Sequence, residues 1–402
     1  MAARFSEGFI WGTATAGHQV EGNNTNSDFW VMEHAPGTPF REPSGDACDH
    51  YRLFRDDLRT LRELGFNAYR FSIEWARVEP EQGFISKAAL RHYADVLAAC
   101  HENGLAPLVT LHHFTSPRWL MKLGGWEGGE TPARFAAYSS AVMRELGSLI
   151  PYVCTINEAN IPTLFRLLGR GDRRSEAWLL ACAQELNTTV ERFRPFLLAD
   201  AGQTTIMAAH ERAREAVKSV RAETRVGITL ALQSIEAAPG GEERAASMWA
   251  QLFESYLPAC AGDDFIGVQN YSRTRVGPRG VLALDEGVER TQMGYEYCPE
   301  ALEGVLRAVA AAGLPMIVTE NGLATEDDAR RVEFIQRALA GVRRCLADGL
   351  DVRGYVYWSA LDNFEWMSGY GPKFGLIAVD RETQERHVKE SARYLGEIAR
   401  SS

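Results

Sequence analysis

No stretch of this 402-residue sequence approaches the ~20 uninterrupted apolar residues that a membrane-spanning helix needs. Residues 1–7 lack the basic stretch and apolar core of a secretory signal. There is no run of basic residues, and a formal charge of -10 with a pI near 5.5 is the reverse of a nucleic-acid footprint. The seven cysteines form no CxxC pair, and their odd number and scatter fit reduced, mostly buried thiols. A cytoplasmic protein is expected, with neither a nucleic acid nor a membrane as partner. These absences leave the oligomeric state open.

Chemistry-bearing motifs are missing too. No GxSxG elbow occurs, which argues against a Ser/His/Asp hydrolase. No HxH or HExxH accompanies the His112-His113 pair. Neighbours on a strand point to opposite faces, so only one of these histidines faces any given site. The first apolar run leads into residues 13–19 without a GxGxxG, so a dinucleotide fold is disfavoured. No metal and no cofactor are expected.

What is present is a pattern of short apolar runs alternating with helical periodicity. Strands are expected at 9–15, 68–73, 107–111, 152–156, 226–230, 265–268, 316–318 and 354–357. Helices are expected at 51–64, 87–102, 131–149, 203–219, 300–312 and 328–348. Gly65, Gly104, Gly313 and Gly349 stand where left-handed helix caps favour glycine. Eight such alternations predict an α/β fold, a (β/α)8 TIM barrel, as a single domain over residues 1–402.

In that fold the active site lies at the C-terminal ends of the strands. The residues there are Gln19, Arg70, Glu74, His112, His113, Asn157, Glu158, Gln233, Gln269, Asn270, Tyr271, Glu320, Asn321 and Trp358. Two of them, Glu158 and Glu320, each follow a β-branched run that reads as a buried strand. A buried carboxylate is costly unless something uses it. Two at one rim suggest a pair that divides acid and base work. Glu320 needs donors to stay ionised, and Arg70 and the Tyr271 hydroxyl are candidates. Glu158 needs a less polar setting to keep its proton. Asn157 is placed to donate to a sugar hydroxyl near the reacting carbon. Beyond the eighth strand, Trp358, Glu365 and Trp366 combine indole faces with a carboxylate, which suits a pyranose.

These motifs together resemble glycoside hydrolase family 1, the retaining β-glucosidase and β-galactosidase group. The likeness runs over nearly the whole chain. It begins with residues 9–16 (FIWGTATA) and 19–22 (QVEG), and passes through 69–75 (YRFSIEW) and 155–158 (TINE). It ends with 318–322 (VTENG) and the tryptophan segment through 374–376 (FGL). The resemblance implies Glu320 as nucleophile, Glu158 as general acid/base, and Arg70 with Tyr271 holding Glu320 charged. It implies that Gln19, His113, Asn157, Glu365 and Trp366 bind the glycone, with Trp358 as its platform. His113 is the matching histidine because it stands four residues before Pro117. A retaining pair implies carboxyl groups ~5–5.5 Å apart.

Some positions depart from the family pattern. Ala159 replaces the usual proline after the acid, Phe114-Thr115 replaces a frequent Trp-Asp, and Gln269-Asn270 replaces the usual Asn-Tyr. The segment 161–174 lacks a long Gly/Pro-rich loop, so an open mouth admitting a bulky aglycone, apolar ones included, is expected. A carboxylate at Glu365 would repel a phosphate dianion, so an unphosphorylated sugar is expected. The expected activity is hydrolysis of a small-molecule β-glycoside, most simply a β-glucoside. The rivals are a transglycosidase using the same glutamates and a sugar-binding pseudoenzyme.

Overall fold

The computed structural model describes residues 5–169 and 175–401. Eight parallel strands close into a barrel in chain order. They are β1 (Ile10–Ala14), β2 (Ala68–Ser72), β3 (Ala106–His112), β4 (Tyr152–Ile156), β5 (Arg225–Ala231), β6 (Phe265–Gln269), β7 (Met316–Asn321) and β8 (Val352–Trp358). One covering helix follows each strand, with further helices such as Glu176–Glu185 in the connections: α1 (His50–Leu64), α2 (Lys87–Glu102), α3 (Thr131–Leu146), α4 (Gln203–Val220), α5 (Glu242–Leu252), α6 (Ala301–Val309), α7 (Asp328–Ala347) and α8 (Glu390–Arg400). This is the (β/α)8 barrel that the alternation predicts.

Both faces of the barrel wall are covered, which is why its strands read as near-continuous apolar runs. Ile10, Ala68, Leu108, Cys154, Phe265, Ile317 and Val356 fill the interior. Trp11, Tyr69, Val109, Val153, Val268, Val318 and Tyr355 face outward to the helices. At the starts of two of these helices, side chains satisfy orphan N–H groups. Ser86 accepts from the Ala89 N–H at α2, and Asp327 from the Ala329 and Arg330 N–H groups at α7. Gly65 ends α1 at φ 107°, and a Cβ there would lie 2.7 Å from the Gly396 carbonyl oxygen, so only glycine fits.

The differences from the sequence expectation are local. The predicted ends of two helices, 147–149 and 310–312, are 3₁₀ turns. The strand expected at 316–318 continues to Asn321. Its pairing with β6 slips between Val318 and Glu320, and that with β8 between Val318 and Asn321. Strict alternation from Ile317 inward would send Glu320 outward with Val318. The irregularity re-aims the glutamate into the mouth, a known use of bulges. No described helix is long and apolar enough to cross a membrane.

Candidate active site

Arg70 rises from β2 inside the barrel and is fully buried. One guanidinium nitrogen donates to Glu320 Oε1 at 2.5 Å and the other to Asn157 Oδ1 at 2.5 Å. The Tyr271 hydroxyl, just past β6, donates to the other Glu320 oxygen at 2.5 Å. Each Glu320 oxygen therefore accepts one short bond from a named donor.

Glu158 sits just beyond β4 at φ 45°, a left-handed conformation uncommon for a residue with a Cβ. The neighbouring strand holds it there. Its N–H donates to Thr229 Oγ1 at 3.2 Å, and the Ala159 N–H to the Thr229 carbonyl at 3.0 Å. Asn160 ties the same turn to β5 by accepting from the Ala231 N–H at 2.7 Å and donating to its carbonyl at 2.8 Å. The Glu158 carboxyl group has no hydrogen-bond partner among the described residues.

That difference sets the electrostatics. Burial pushes both carboxyls above the usual range. At Glu320 the Arg70 charge and the bonds from Tyr271 and Arg70 pull back. At Glu158 the charge of Glu320 pushes further up, with Arg70 in opposition and Glu365 adding to the rise. One proton shared by this pair therefore resides on Glu158.

Opposite this pair lies a polar wall carried by the β1 and β8 ends. Gln19 Nε2 donates to the Phe364 carbonyl at 2.7 Å, to Asn363 Oδ1 at 3.0 Å and to Glu365 Oε2 at 3.4 Å. The Trp358 side chain hydrogen-bonds Glu365 as well. Burial and the Glu320 charge still push the Glu365 carboxyl up to about 8. The His113 ring stacks between Trp358 at 5.6 Å and Trp366 at 6.0 Å. Burial and the Arg70 charge hold His113 well below the usual imidazole range, so it is neutral. Gln19 Oε1, His113 Nδ1, Asn157 Nδ2 and Gln269 Oε1 are buried without a protein partner. Buried polar atoms are normally paired, and a polyhydroxylated ligand supplies both donors and acceptors to such a set.

The structure thus brings Gln19, Arg70, His113, Asn157, Glu158, Tyr271, Glu320, Trp358, Glu365 and Trp366 to one mouth. Most of the other rim residues are bonded within the fold. Glu74 accepts from Thr115 at 2.5 Å, from Asn24 at 2.8 Å and from Ser72 at 3.0 Å. Asn270 donates to the Leu232 and Ser272 carbonyls, and Asn321 bonds Tyr355 and the Asn270 carbonyl. His112 turns outward to Ser116, Trp126 and Phe196. Gln233 is half-buried. Thr229 and Asn363 hold the site together without having been singled out by their sequence. The signal for Thr229 was a lone hydroxyl inside the apolar run of β5.

Of the segment 161–174, Ile161–Leu167 is helical, and residues 170–174 lie outside the described part. Among the described residues no group of three or more His, Cys, Asp and Glu side chains is arranged to hold a metal ion.

Comparison with known proteins places this geometry in context. The model of the family described as "Glycosyl hydrolase family 1" matches residues 1–258 and 253–402. The chain is 29% identical to β-glucosidase A of Thermotoga maritima, covering 99% of this chain and 98% of that protein. That alignment runs over 456 positions against 402 residues here, so the relative carries segments this chain lacks. Among solved structures, β-glycosidase BGL167 is 54% identical with a TM-score of 0.95, covering 99% of this chain and 97% of its own. The β-glycosidase from Pyrococcus horikoshii is 34% identical with a TM-score of 0.86, covering 100% of this chain and 96% of its own.

Proposed function

This chain belongs to glycosyl hydrolase family 1 and is a retaining β-glycosidase, and we propose that it hydrolyses an unphosphorylated β-glucoside with Glu320 as nucleophile and Glu158 as general acid/base. The observation that carries the assignment is the inequality of the two carboxyls. Glu320 accepts short bonds from Arg70 and Tyr271, and the buried Glu158 carboxyl has no hydrogen-bond partner among the described residues.

In this reading the ionised Glu320 attacks the anomeric carbon. Glu158 gives its proton to the glycosidic oxygen as the C–O bond breaks, and the aglycone leaves as an alcohol. Glu158, now a carboxylate, takes a proton from water, which attacks the same carbon and releases Glu320. Gln19, His113, Asn157, Glu365 and Trp366 bind the glycone, and the indole of Trp358 stacks on its C–H face.

The charge of Glu365 is not what excludes a phosphorylated sugar. A Glu365 pushed up to about 8 carries a proton in the free enzyme at neutral pH, so charge repulsion alone does not exclude phosphate. Among the described residues no cation acts on the Glu365 carboxyl, which supports an unphosphorylated sugar. Glu365 is flanked by Gln19, Trp358 and the charge of Glu320, none of which would neutralise a phosphate dianion. We also assign the chain to the cytoplasm as one domain, on its free, mostly buried cysteines and its single closed barrel.

The experiment is the Glu320→Ala variant on an aryl β-glucoside. Its turnover falls by several orders of magnitude while the fold, by circular dichroism, is kept. Near-native turnover would overturn the assignment.

A further inference from the structure

We infer that Gln269 is a substrate-contacting residue that reads the hydroxyl next to the reacting carbon, in concert with Asn157. The inference rests on the proposed roles of Glu320 and Asn157.

Gln269 is the last residue of β6 and sits in register with Glu320 on β7 and Ala231 on β5. Alternation from Phe265, which faces the interior, turns Gln269 inward as well. It is 1% exposed. Its Nε2 donates to Asn157 Oδ1 at 2.9 Å, and the same oxygen accepts from Arg70 at 2.5 Å. These donors fix both amides. Asn157 Oδ1 is the acceptor because a guanidinium has only donors to offer. The Gln269 nitrogen must then face Asn157, which leaves Gln269 with its carbonyl oxygen.

Two groups remain over, Asn157 Nδ2 and Gln269 Oε1. Both are buried, and neither has a partner among the described residues. One is a donor and the other an acceptor, on side chains joined by a hydrogen bond, beside the carboxylate that attacks. A single hydroxyl satisfies both, accepting from Asn157 and donating to Gln269. The glycone hydroxyl nearest the anomeric carbon is the one on C2, and bonds to that group strengthen in glycosidase transition states. Removing the hydroxyl leaves two buried groups unpaired, the situation in which a site rejects an analogue most strongly.

The test compares kcat/KM for an aryl β-glucoside and its 2-deoxy counterpart. Gln269→Met keeps side-chain length and removes both polar ends. It lowers kcat/KM about tenfold or more on the glucoside, the scale of one lost hydrogen bond, and leaves the 2-deoxy substrate within about twofold. The preference for the 2-hydroxyl therefore shrinks. A merely structural role lowers both substrates alike, and that result overturns the inference. If Gln269→Met does not fold, Gln269→Leu, which also lacks both polar ends, gives the same selective loss, and an equal loss or none refutes it. Asn157→Ala separates the two layers of the argument. If that variant does not discriminate either, the assignment of Asn157 fails first. If it does and the Gln269 variants do not, only the present inference falls.

Discussion

Tyr271→Phe isolates one of the bonds that distinguish the two carboxyls. The Tyr271 hydroxyl donates to Glu320 Oε2 at 2.5 Å, inside the mouth and beside a nearly buried carboxylate. A hydrogen bond to a charged group contributes about 1.5–3 kcal/mol. Removing the hydroxyl leaves the Arg70 bond in place but destabilises ionised Glu320 by about that amount, which is about 10- to 150-fold in its ionisation equilibrium. The direction follows from which form the bond favours. Tyr271 donates to the charged form and so lowers the Glu320 pKa; its loss raises that pKa. The nucleophile must be ionised, so the acidic limb of the kcat/KM profile moves to higher pH. Below that limb the variant loses activity by up to about that factor relative to the parent. Well above it the loss is smaller, because Glu320 is ionised in both. The assay is kcat/KM for an aryl β-glucoside across the stable pH range, with circular dichroism at each end. A parallel drop at every pH, with the acidic limb unmoved, would refute the claim that this bond holds the charge.

Glu158→Gln should lower turnover of an alkyl β-glucoside by about 10²–10⁴-fold and leave the glycosylation step with a dinitrophenyl leaving group nearly intact. It should also remove the alkaline limb, since no proton is left to lose; single-turnover kinetics check both points. Asp28 offers a stability test outside the chemistry. It is fully buried, one oxygen accepts from the Phe29 and Ser116 N–H groups at 2.9 and 2.8 Å, and the other has no partner. Burial pushes it up to about 7. The folded chain therefore holds this proton more tightly than the unfolded one. That contribution is complete below about pH 4 and is lost as pH rises through about 7. Asp28→Asn, uncharged at every pH, should raise Tm by several degrees at pH 8 and hardly at all at pH 4. Equal shifts at both would sink the argument.

Most of the barrel was legible because its strands are buried on both faces and its helices carry clear ends. The span 87–102 is a helix with both predicted ends, and 152–156 a strand with both. The helices Glu242–Leu252 and Glu390–Arg400 were not anticipated, although they complete the barrel. Both are only 11 residues long, about three turns. A short helix owes its existence to what it packs against, and a sequence window does not show that.

The rim shows a different limit. Position at a strand end selected Glu74, Asn270 and Asn321 as readily as Asn157 and Glu320, because all are polar residues after apolar runs. Hydrogen bonding separates them. Both ends of the Asn321 side chain, and the amide nitrogen of Asn270, are committed to backbone and tyrosine partners that close the loops. Glu74 is similarly taken up by Asn24, Ser72 and Thr115. Gln19, His113, Asn157 and Gln269 each keep one buried atom unpaired. Satisfying those atoms inside the protein would have stabilised the fold, since a buried unpaired polar group costs about 1–3 kcal/mol. Four such atoms gathered around one carboxylate pair are difficult to explain by folding alone. They are expected if a ligand rich in hydroxyls completes the set, and this asymmetry is what sequence position cannot supply.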